Sequence, residues 1–366
     1  MSLIKINPDV LRWAREESSY SPSELADKLS VDKNQYQQWE TTGIDIPFPI
    51  LKDISKKTKR QIAVFFLPEA PKKLKKPSDF RNLVVSRQKL SFDSLLAFRR
   101  VAKFRELLTQ LNGGQFYQDK YNWLTDFEAI VGNGSLINHR IFTLLRDTLD
   151  YSLEQQIQEK TIPDTYNKWR NYFEDRLGIY IFQFSMPPSE IQGFSYSDGY
   201  PYCIAINGKY PVTSRIFTLF HELGHIIKRQ SGLCIPDKVT EDQTLEFECN
   251  SFAGAFLVPD NVVKVTSDKD EIFKRATRLK ISSEVYLRRL KTLDLVSDDE
   301  FFSLLQEIRS SVKTKGFGIL TPIQKSLNSR GQTLFNSVLN ALNTNKISYE
   351  RASDILGLKI SHIINE

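Results

Sequence analysis

The chain has 366 residues, long for one domain and comfortable for two or three. Its 40% hydrophobic and 26% charged residues mark an ordinary globular protein, and no apolar run reaches the ~18 residues that suggest a transmembrane helix. The net charge is +6, residues 1–8 lack an apolar core of signal-peptide length, and the three cysteines form neither an even framework nor a CxxC pair. A cytoplasmic protein with reduced thiols is expected, without membrane contact.

Residues 1–70 read as a run of short helices. Residues 8–17 place Val10, Leu11, Trp13 and Ala14 on helical spacing. Ser21 as N-cap, Pro22 at the first helical position and Glu24 closing a capping box start a second helix, which runs through Leu29. After the turn Ser30-Val31-Asp32, Asp32 caps a third helix with Tyr36 and Trp39 on one face. Helix, three-residue turn, helix is the helix-turn-helix pattern. A fourth helix around 50–57 and a fifth around 61–66 complete a small bundle, and Pro68, Pro71 and Pro77 mark its exit. Residues 1–76 hold 14 Lys and Arg against 10 Asp and Glu, with Lys72, Lys73, Lys75 and Lys76 beside that exit. A basic end permits nucleic-acid contact, and a solvated linker explains the four lysines equally well.

Residues 79–160 show helical periodicity, as in 90–111, and no chemical motif, so they read as a helical connector. Trp123 and Trp169 read as core residues. Beyond 165 the period shortens. Strands are predicted at 178–184, 193–199 and 202–207, with turns at Asp198-Gly199 and Asn207-Gly208. A helix follows at 214–228. Another starts at Thr240, is capped with Gln243 and stops at Pro259. A capped helix is predicted at 281–290 and three short ones in the last sixty residues, the final one around 348–358.

His221-Glu222-Leu223-Gly224-His225 holds two of the four histidines of the chain. At i and i+4 on a helix the imidazoles share a face and can bind one zinc ion, while Glu222 is turned aside, where a general base for water must sit. The flanking Ile216, Phe217, Leu219, Phe220, Ile226 and Ile227 bury the helix, and buried imidazoles and carboxylates need partners. A catalytic site needs a third ligand. His139 and His362 stand in no ligand-like setting. Glu246 is the better candidate, with Asn250 at i+4 on the same face to accept from a histidine ring nitrogen. Glu248 is the alternative, about 200° around the helix. The expected chemistry is metal-assisted hydrolysis with Glu222 as proton carrier. Tyr196, Tyr200, Tyr202 and Arg215 are possible oxyanion donors, and a peptide could add a strand to the sheet edge near 193–199.

The run Phe217–His225, followed by Glu246-x-x-x-Asn250-x-Phe252-Ala253-x-x-Phe256-Leu257-x-Pro259, resembles the ImmA/IrrE family of metallopeptidases, as does the segment 193–201. Leu11–Arg15, Glu24-Leu25-Ala26, Trp39-Glu40 and the segment 63–68 resemble the XRE-type helix-turn-helix often fused to such peptidases, and Asp79-Phe80-Arg81 resembles the start of the connector. The resemblance implies a bacterial or phage-borne zinc protease with His221, His225 and Glu246 as ligands and Glu222 as base. Its substrate would be a specific protein partner, a repressor or antitoxin. The implied fold is α+β, mostly α: a helix-turn-helix domain at 1–76, a helical connector at 77–160, a zincin-like peptidase domain with a small sheet at 161–295 and a C-terminal helical domain at 296–366. Two departures stand out: Cys249 replaces a small residue, and 41–47 replaces a compact turn. On the third helix, Lys33, Asn34, Gln35, Gln37 and Gln38 could read DNA, though the helix lacks arginine. A docking or dimerisation role, with the chain a homodimer, is the competing expectation.

Overall fold

Ser21 accepts a hydrogen bond from Glu24 N, and Glu24 accepts one from Ser21 N, so the predicted capping box is formed. It opens α2 (Pro22–Leu29), which follows α1 (Pro8–Glu16) and ends at Ser30 in the left-handed region. Asp32 then caps α3 (Lys33–Thr42) by accepting from Asn34 N and Gln35 N. The computed structural model describes residues 2–72, 90–113, 116–117, 120–132, 134–230, 232–234, 243–311 and 320–364. It is mostly helical with small sheets. Its described residues form two compact units, 2–72 with 90–102, and those from 103 to 364. Lys73, Lys75, Lys76, Pro77 and the Asp79-Phe80-Arg81 motif lie outside the described residues.

In the first unit, residues 41–47 hold two features that hydrophobic periodicity does not reveal. Gly43 ends α3 at φ 67, where a Cβ would come within 2.1 Å of Ile6 O, so only glycine fits. Beyond it, β2 (Ile46–Pro47) pairs antiparallel with β1 (Leu3–Ile4), and α4 (Phe48–Thr58) follows. The expected fifth helix is a 3-10 turn, Ile62–Phe66. Five residues stopped by Leu67 and Pro68 are too few to support an α-helical ladder. Val10, Leu11, Leu25, Tyr36, Ile54 and Phe65 are fully buried in this unit's core. The first part of α5 (Phe92–Asn112) also belongs to it.

The second unit carries α6 (Asn122–Val131), α7 (His139–Leu149), α8 (Leu153–Gln158) and α9 (Ile162–Asp175) before a four-stranded sheet. Its strands β3 (Tyr180–Phe184), β4 (Gly193–Tyr196), β5 (Cys203–Asn207) and β6 (Leu233–Cys234) lie in the order β3-β5-β4-β6. β5 runs parallel to β3 and antiparallel to β4, and β6 pairs antiparallel with β4. Between β5 and β6 comes α10 (Val212–Ile227), which packs on both β4 and β5. α11 (Gln243–Leu257) packs beside it; its predicted start at Thr240 lies outside the described residues.

Rings lock these helices together. Phe220 on α10 meets Trp169 at 4.8 Å, Phe173 at 5.3 Å and Phe256 at 4.6 Å between centroids, which fixes α10 against α9 and α11. Trp169 is therefore core, and half-buried Trp123 donates its indole N–H to Leu177 O.

α12 (Lys269–Leu279), α13 (Ser283–Thr292) and α14 (Asp298–Ser311) follow, and Ser282 caps α13 as its sequence implies. The C-terminal part holds four helices among the described residues rather than three: α15 (Pro322–Arg330), α16 (Gln332–Asn343), α17 (Tyr349–Leu356) and α18 (Ile360–Ile363). Buried Glu174 of α9 accepts from Ile181 N in β3 and from Thr333 N at the start of α16, tying this segment to the sheet.

Candidate metal centre

Helix α10 is apolar nearly all round, with Ile216, Leu219, Leu223 and Ile226 fully buried, yet it carries His221, Glu222 and His225, each 0% exposed. Its neighbour approaches because position 224 is glycine. A Cβ there would meet Cys249 Sγ of α11 at 3.0 Å. Close approach brings Glu246, in the first turn of α11, onto the imidazoles.

The three side chains converge. His225 Nε2 lies 3.2 Å from His221 Nε2 and 3.1 Å from Glu246 Oε1, and His221 Nε2 lies 3.3 Å from Glu246 Oε2. Ligand atoms about 2.0–2.1 Å from a tetrahedral zinc ion stand about 3.3 Å apart along each edge, so the spacing fits a divalent cation of that size. This is the metal-capable cluster among the described residues. His221 Nδ1 is 3.0 Å from Asn250 Oδ1. That carbonyl accepts a proton held on Nδ1 and leaves the Nε2 lone pair facing the cluster.

Electrostatics follow from the geometry. Burial works to raise the Glu246 carboxyl, but the two imidazoles overcome it and hold the group far below the carboxylate range. Burial works to lower His225, but Cys249, Glu246 and Glu222 around it prevail and raise it well above the ordinary value. Glu222 is pushed up by burial, with both imidazoles opposing. Ser195 acts on Glu222 and Cys249 on His225, but neither Glu222 oxygen nor His225 Nδ1 makes a hydrogen bond of normal geometry.

The sheet presses on this cluster through glycines. A Cβ on Gly193 of β4 would stand 2.5 Å from Thr218 Cγ2 and 3.4 Å from Glu222 Oε1. One on Gly232 would stand 2.3 Å from His225 Cδ2 and 2.7 Å from its Nε2. Ser195 N donates to Gly232 O and Gly232 N to Ser195 Oγ, clamping the segment over the histidine. Sequence reading did not single out Gly193 or Gly232 for the site. Gly193 opens β4 and Gly232 stands just before β6, and a glycine in or beside a strand is the signal for such close approach.

Several sequence candidates lie elsewhere. Glu248 accepts from Leu136 N and pairs with Lys228 Nζ at 3.0 Å, outside the cluster. Arg215 donates to Tyr210 O and to Gly208 O. Tyr202 OH accepts from Arg229 at 2.9 Å, and Tyr200 stacks on Tyr121. Gly193 and Ser195 share the strand face toward α10, so Tyr196 falls on the other, beneath the Arg105 guanidinium. The β4 edge expected to receive a peptide is already paired with β6 at Gly193 and Phe194. His139 and His362 are outside the cluster. In the first unit, Lys33, Asn34, Gln35, Gln37 and Gln38 are exposed on α3, opposite buried Tyr36, Trp39 and Glu40.

A helix-borne His/His pair closed by a carboxylate from the next helix could hold one metal ion. Residues 174–291, which contain both helices, match the family model Peptidase_M78, the IrrE N-terminal-like domain. The match supports a peptidase of ImmA/IrrE type for this segment. No curated protein and no solved structure matches the chain. No helix among the described residues is long and apolar enough to cross a membrane.

Proposed function

We propose that the chain is a zinc-dependent endopeptidase. The observation that carries the reading is the 3.1–3.3 Å convergence of His221, His225 and Glu246 beside buried Glu222, whose carboxylate makes no hydrogen bond of normal geometry. A zinc ion held by His221 Nε2, His225 Nε2 and Glu246 would supply Lewis acidity for a water and the scissile carbonyl. Glu222 accepts the proton of the attacking water and delivers it to the leaving amine; its free oxygens leave it available for both transfers. Asn250 holds the His221 ring in orientation. Gly193 keeps β4 close enough to wall the site off from solvent.

The substrate in this reading is a specific protein, a DNA-binding repressor or antitoxin. The first unit brings the enzyme to it, by docking on the protein or by DNA contact through Lys33, Asn34, Gln35 and Gln38. Exposure of those four side chains on one helix supports the DNA alternative. It requires a salt-dependent gel shift that disappears when residues 1–76 are deleted.

Glu222→Gln tests the enzyme reading. The variant should keep its metal, measured by atomic absorption, and cleave the protein substrate that the unaltered chain cuts about 10²–10⁴-fold more slowly. Undiminished cleavage with metal retained would sink the assignment.

A further inference from the structure

Two arginines in the first unit, buried Arg99 and half-buried Arg60, form no ion pair with a carboxylate of the described residues. Arg99 on α5 is 8% exposed; its Nη2 donates to Thr58 O at 3.0 Å, while Nε and Nη1 have no partner. Arg60 lies two residues past Thr58, and its buried Nε and Nη2 are also unpartnered. Nε with Nη2 is the guanidinium edge that grips an oxyanion through two parallel hydrogen bonds. Aromatic rings back both groups: Arg60 stands 4.2 Å over Trp13 and Arg99 5.6 Å over Phe92. Among the described residues no carboxylate forms an ion pair with either one, although Glu17 acts on both from farther away. The Arg60 charge acts on Arg99, and four of their nitrogens are buried without acceptors, which is costly unless an anion meets them.

The geometry points to an anion site in the first unit, in which Arg60 and Arg99 bind a phosphate group. Phosphate fits better than a carboxylate because it carries more charge and enough oxygens for four donors. The shared ligand chemistry is a phosphate, free or borne on a small monoester. Burial lowers Arg60 to about 10 and, with Arg60 beside it, Arg99 to about 9; both remain charged at neutral pH, so the electrostatic demand persists. Occupancy joins the end of α4 to the start of α5 and adds stability to this unit.

The test uses the full chain, titrated with potassium phosphate, glycerol phosphate and potassium acetate against potassium chloride at matched ionic strength. Trp13 lies under Arg60, so saturable phosphate binding should change tryptophan fluorescence. The thermal midpoint should rise by about 3 °C at ten times the dissociation constant. Arg60→Gln should weaken both responses at least tenfold and Arg60→Lys partly, while Lys57→Gln, an exposed charge in the same unit, should leave them unchanged. A stronger response to the ester assigns an ester-borne phosphate, and a stronger one to inorganic phosphate assigns the free ion. Responses no larger than those to chloride or acetate, or responses that survive Arg60→Gln, overturn the site.

Discussion

In the first unit, Arg15 lays two donors on Glu40, Nε to Oε1 at 2.7 Å and Nη2 to Oε2 at 3.0 Å. Tyr36 OH adds a third bond to that carboxylate, and Arg15 Nη1 reaches Tyr20 O. In the second unit, His221, His225 and Glu246 turn two ring nitrogens and a carboxylate on one point, and Glu222 beside them makes no hydrogen bond of normal geometry. The first group is buried, and so is the second apart from half-buried Glu246. The first is closed, each donor matched to an acceptor, and it fixes α1 against α3. The second is a cluster that, with its imidazoles neutral, offers lone pairs that a cation can complete. Buried charge alone therefore does not mark a site; the mismatch of donors and acceptors does.

That contrast can be broken at three further points. Arg15→Ala strands the Glu40 carboxylate, so unfolding by urea should show a loss of about 3–5 kcal/mol with metal content unchanged. A smaller loss would mean that water compensates and the pair is less closed than it looks. Asn250→Ala frees the His221 ring, and metal affinity measured by chelator competition should fall about 10–100-fold with little change in unfolding. An unaltered affinity would leave the cluster oriented by packing alone. The smallest effect is expected at Glu248→Gln, which weakens the contact with Lys228: about 1 kcal/mol in stability and no change in bound metal. Loss of metal from that variant would contradict the separation of Glu248 from the cluster.

Local chemistry made parts of this molecule readable in advance. Ser21, Pro22 and Glu24 announce the start of α2 because the cap uses side chains three residues apart. The spacing of His221 and His225, and the helical faces of Glu246 and Glu248, follow from 100° per residue and agree with where those side chains lie. Features made by distant segments were not readable. Two-residue strands such as β1 and β2 have no period to detect, and the closure of β4 by β6 depends on the chain turning back after α10. Arg215 carries a useful charge, but the carbonyls that draw it away belong to a turn whose shape the residue types do not disclose.

Gly224 and Cys249 occupy one shared volume between α10 and α11. The two positions of the His-Glu-x-x-His pattern that chemistry leaves blank are thus constrained: Leu223 is fully buried, and a Cβ at 224 would crowd Cys249 at 3.0 Å. A larger residue at 224 must be matched by a smaller one at 249, or Glu246 moves away from the imidazoles. Among relatives the two positions should vary together, so that each helix sets limits on the spelling of the other.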